Sequence, residues 1–139
     1  MAQACLTETQ ALSLIEAAYH EARRHQWIES QKQRRDLGDT AFRDWYGCYW
    51  WSFVRHRHIE HLMGECLWLE FETATFGCLH GLLDAFGDLA EEIIEQYRTG
   101  RENLDIINWA LHYRQDMASV YECLMQINMN DARIPPALC

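Results

Sequence analysis

Valine occurs only twice in this chain, at Val54 and Val120, and proline only at Pro135 and Pro136. Valine belongs to the strand-favouring residues and proline breaks helices, so both shortages argue against a sheet and for long helices. No apolar run is long enough for a bilayer. The uncharged stretch at 45–54 is ten residues, and a helix needs about 20 to cross a roughly 30 Å hydrocarbon core. Met1 is not followed by a basic and then an apolar segment, so export is not expected. The six cysteines (Cys5, Cys48, Cys66, Cys78, Cys123, Cys139) contain no CxxC or CxxxC pair, which removes the usual zinc and thioredoxin readings. Three of them, Cys48, Cys66 and Cys78, lie in apolar surroundings and are expected to be reduced thiols in a cytoplasmic protein.

Catalytic motifs are missing too. There is no G-x-S-x-G elbow and no glycine-rich phosphate loop, and the Gly77/Gly81 pair suits close helix packing instead. The chain is therefore expected to be neither an enzyme nor a cofactor protein.

What is present is hydrophobic content of 49% in 139 residues, enough for one domain with a real core. Leu, Ala, Glu, Gln, Arg and Met dominate, the residues that lose least on entering a helix. The net charge of −9 is uneven. Residues 1–57 hold eight Lys/Arg and seven Asp/Glu, whereas residues 58–139 hold four Arg and fourteen Asp/Glu. Nucleic acid is not an expected partner. An acidic half more naturally meets a basic partner, or the basic end of a neighbouring subunit.

Periodicity and end signals predict an all-α domain spanning 1–139, a four-helix up-down bundle that forms a dimer. The predicted helices cover 7–37, 40–75, 78–98 and 102–128, with an extended tail at 130–139. Thr7-Glu8-Thr9-Gln10 fits a capping box, and Gly38 suits the position after the first helix. The first helix buries Ala11, Leu12, Ile15, Ala18, Tyr19 and Ala22, but its stripe continues as Gln26, Glu29 and Gln33. The second helix is apolar on nearly every side from Phe42 to Val54. That much apolar surface suggests cover from another chain.

Two surfaces carry the partner expectation. Trp27, Trp45, Tyr49 and Trp50 supply aromatic anchors. Asp84, Asp88, Glu91 and Glu95 form an acidic stripe opposite the apolar face of the third helix. Glu70 and Arg114 fall within apolar sectors of their helices, where an unpaired charge costs several kcal/mol, so they are expected to pair. The expected function is a small acidic helical protein that self-associates and binds another protein, of the inhibitor, immunity, antitoxin or adaptor type. The alternative starts from four His-x-x-x-Asp/Glu pairs and from His58, His61, Glu65 and Glu72 on one stripe of the second helix. That pattern resembles hemerythrin-type and ferritin-like bundles, which implies a divalent metal or iron site. The Glu-x-x-His pairs of carboxylate-bridged bundles are absent.

Overall fold

The computed structural model describes residues 11–136. Among these the protein is all-helical, with no strand. Its α-helices are α1 (Leu14–Gln33), α2 (Gly38–Leu62), α3 (Leu79–Phe86), α4 (Asp88–Arg98), α5 (Asn103–His112) and α6 (Met117–Ile127). The expected capping box at Thr7–Gln10 lies outside the described residues. Two short 3₁₀ turns, Thr73–Thr75 and Met129–Ala132, complete the set.

Helix α1 starts where two oxygens meet its free amides. Ser13 Oγ accepts from the Glu16 amide at 3.2 Å, so Ser13-Leu14-Ile15-Glu16 supplies the N-cap. The Glu70 carboxylate accepts from the Leu14 amide at 2.6 Å and from Ser13 Oγ at 3.2 Å. The first turn of a helix has unsatisfied N–H groups and the positive end of the helix dipole, so a carboxylate there is stabilising. An isolated parallel bridge between Leu12 and Trp68 holds the same junction. The Leu12 amide donates to the Leu67 carbonyl at 2.9 Å, and the Leu69 amide to Leu12 at 2.8 Å. After Ala22, α1 buries nothing further, as its polar stripe predicts. It ends at Gln33 because Arg34 takes a left-handed conformation (φ 56). That is the terminating role expected of Gly38, which instead opens α2.

The second helix is shorter than its pattern predicts, ending at Leu62 rather than near residue 75. Gly64 (φ 78) and Gly77 (φ 75) turn the chain out and back, and a Cβ on Gly64 would stand 3.3 Å from the Gly77 Cα. The His61 carbonyl accepts from both glycine amides, at 3.1 and 3.0 Å. Leu69, beyond the end of the helix, is exposed.

The third and fourth expected helices each divide in two. Gly87 (φ 53, ψ −124) separates α3 from α4, and Arg114 (φ 55) separates α5 from α6. The apolar period runs through both breaks, which is why the sequence reads as continuous. Helix α5 has a full capping box in which Glu102 and Asp105 satisfy each other's backbone amides. Among the described residues six helices thus stand where four were expected. Tyr19 meets Phe42 and, further along both helices, His25 meets Tyr49. Helix α1 therefore packs on α2.

One core joins all six helices, with Leu14, Trp50, Val54, His61, Tyr97 and Ile106 among its most buried members. Within the expected tail, Ile134 closes over α2: its carbonyl accepts from Trp50 Nε1 at 2.6 Å.

Candidate interaction surfaces

The second half of α1 carries a concavity of about 650 Å³, open to solvent and lined by Arg23, Gln26, Trp27, Gln31, Arg34 and Arg35 among others. Trp27 in its lining is 65% exposed. Arg23 is held by its neighbours. Its guanidinium lies 4.4 Å from the Phe42 ring centroid, while Nε donates to the Tyr19 hydroxyl at 3.1 Å and Nη1 to Gln26 Oε1 at 2.7 Å. Arg34 and Arg35 have no ion-pair partner among the described residues. An exposed indole beside free guanidiniums matches the side chains that dominate binding hot spots.

The aromatic anchors on α2 separate. Trp45 and Trp50 are core residues, with Trp50 1% exposed, and the expectation that a second chain covers them is corrected. Their cover is the protein's own. Trp45 packs on Tyr46 and Phe53, Trp50 on the same two rings, and the segment at Ile134 caps the indole. Tyr49 is 49% exposed, with its ring edge against His25.

Asp84, Asp88, Glu91 and Glu95 are all exposed, on two helices rather than one. Glu95 pairs with Arg98 at 3.6 Å, whereas Asp84, Asp88 and Glu91 form no ion pair among the described residues. Asp88 and Glu91 occupy the first turn of α4, where negative charge favours the helix.

The expected Glu70–Arg114 pair does not form. Glu70 serves the N-terminus of α1, and Arg114 is exposed at the left-handed turn after α5. A carboxylate in an apolar sector can be satisfied by backbone amides as well as by a cation, and here the amides take it.

The histidine stripe is also spent internally. His61 is fully buried between Phe71 and Phe76, both ring centroids at 5.5 Å. Its Nε2 donates to the Glu72 carbonyl at 2.7 Å and its Nδ1 accepts from the Trp68 amide at 3.3 Å, so both ring nitrogens are engaged. His58 Nε2 donates to the Ile127 carbonyl at 3.0 Å. Its Nδ1 is buried without a partner, and burial pushes its pKa below the ordinary value. Glu65 and Glu72 are exposed. No group of three or more His, Cys, Asp or Glu side chains able to hold a metal ion occurs among the described residues, so the stripe is not gathered into a coordination set.

The charged clamp that sequence reasoning missed is Arg55. Its Nη1 pairs with Glu102 at 2.8 Å, and Nη2 donates to the Arg101 carbonyl and, at 3.5 Å, to that of Tyr97. Arg133 joins Glu102 at 3.6 Å, tying α2, the start of α5 and the C-terminal segment together. The only local signal was an arginine next to the buried Val54. Its partners lie too far along the chain for periodicity to reach.

No helix among the described residues is long and apolar enough to cross a membrane. The chain matches no family model, and no curated protein or solved structure shows significant similarity to it.

Proposed function

We propose that this chain is a non-catalytic helical protein of the adaptor or inhibitor type, and that it works by gripping an acidic segment of protein at the Trp27 concavity. The observation that carries this reading is the pairing of a 65% exposed indole with unpartnered Arg34 and Arg35 in one concave surface. A tryptophan offers a large rigid face, and arginine forks bind carboxylates with two parallel hydrogen bonds. Trp45 and Trp50 are core residues and His58 and His61 are buried, whereas Trp27 on α1 combines exposure with unpartnered arginines in one concave surface, which supports α1 as the partner surface. Self-association belongs to the same reading, because the chain carries both signs of unpaired surface charge.

The test is a fluorescence-polarisation titration with a labelled glutamate-rich peptide carrying one leucine, against a lysine-rich control. Saturable binding of the acidic peptide is expected, weakened at least about tenfold by Trp27→Ala, which is about 1.4 kcal/mol. Equal binding of both peptides, or indifference to Trp27→Ala, would remove the proposal.

A further inference from the structure

The concavity on α1 and the acidic edge of α3 and α4 are complementary, and no ion pair joins them within one copy. Around Trp27 stand Arg23, Arg34 and Arg35 against the single carboxylate of Asp36. Along α4, Asp88, Glu91, Glu92 and Glu95 follow the i, i+3, i+4, i+7 spacing that places side chains on one helix face, and Asp84 extends the edge from α3. Arg98, engaged by Glu95, is the cation that pairs with this edge.

We infer that the occupant of the Trp27 concavity is the acidic edge of a second copy of this chain. The inference rests on the reading that the concavity takes an acidic protein segment, and adds whose segment it is. Charge complementarity selects the partner. Each copy carries an exposed anionic helix face without enough cations and an exposed cationic hollow without enough anions, so docking one on the other cancels both. Two arginines reaching carboxylates one turn apart gain paired charge-assisted hydrogen bonds, while the indole excludes water from them.

The contact is heterologous, because different patches meet. Every added copy leaves one free hollow and one free edge, so the assembly grows as an open chain or closes as a ring. Both patches are exposed. Salt therefore dissolves the contact, the screening length being about 8 Å at physiological ionic strength and about 3 Å at 1 M.

Sedimentation velocity at low salt decides the matter with four samples: the wild type, Arg34→Gln/Arg35→Gln, Asp84→Asn/Glu91→Gln, and an equimolar mixture of the two double variants. The wild type is expected to form species that grow with concentration and dissociate in high salt. Each double variant alone should associate at least tenfold more weakly. The mixture should give a one-to-one heterodimer and nothing larger, since each variant keeps the surface the other has lost. Trp27→Ala, which leaves every charge in place, should weaken wild-type association without altering helical circular dichroism.

A wild type that stays monomeric at high micromolar concentration overturns the inference, as does a double variant that assembles like the wild type. A mixture that fails to pair overturns it too. If the wild type is monomeric but still binds the acidic peptide through Trp27, the concavity keeps its function and the second copy is the wrong occupant. If it does neither, both proposals fall.

Discussion

Trp50 and Trp27 are the same side chain on consecutive helices, and the fold treats them oppositely. Trp50 has rings on two sides and a carbonyl on its indole N–H, while Trp27 stands in the open among arginines. The difference comes from their neighbours along each helix. The stripe on α1 turns to Gln26, Glu29 and Gln33, so the helix has nothing apolar with which to bring Trp27 inward. Around Trp50, the residues one turn either way are Tyr46 and Val54, both buried. A tryptophan is an anchor for the core or for a partner according to the company it keeps.

The largest expected break in this contrast is Trp50→Ala. Removing a buried indole and its hydrogen bond should cost about 3–5 kcal/mol, read as a lower midpoint in urea unfolding. Glu70→Ala comes next, at about 1–2 kcal/mol, because α1 loses the carboxylate at its first amides. Glu70→Gln should recover part of that loss, since an amide oxygen still accepts from Leu14 but carries no charge.

A smaller effect follows from His58. Unfolded, its imidazole titrates near 6.5, and in the fold burial holds it below that. On acidification the unfolded chain takes up its proton first. Stability contributed by neutral His58 is therefore complete above about 6.5 and falls as pH drops toward the lowered folded value. His56 shifts in the same direction, chiefly through burial, and adds to the slope. Urea midpoints measured from pH 8 to pH 5 should show this fall, and His58→Gln should flatten it.

Smallest of all is Trp27→Ala, whose effect on stability should stay within about 0.5 kcal/mol in the same unfolding experiment. A cost near that of Trp50→Ala would show that Trp27 packs inside the fold, and the contrast would fail.

Helix content was legible in the sequence, but the α1 stripe only in part: Ala18 and Ala22 are buried as their spacing predicts, whereas Leu12 and Tyr19 are exposed and Leu14 takes the buried place instead. The breaks at Gly87 and Arg114 were not legible, since the apolar period carries across them and backbone angle alone marks the stop. Arg114 was misread for the same reason: helical spacing put it in an apolar sector, but the helix ends before it. Trp27 was legible as exposed, while Trp45 and Trp50 were assigned to a partner because the cover from Ile134 lies 84 residues beyond Trp50. Glu70 stood out correctly as a charge needing a partner, but the partner was a helix end, which no residue type announces.

The bond from Glu70 to the Leu14 amide spans 56 positions of chain, and this has a consequence for the order of synthesis. When α1 leaves the ribosome, the anion that completes its beginning has not yet been made. Ser13 alone can hold the first turn until residues 67–70 arrive. The starting point of the first described helix is therefore decided late, by a segment in the middle of the chain, after the arginines and Trp27 are already on display.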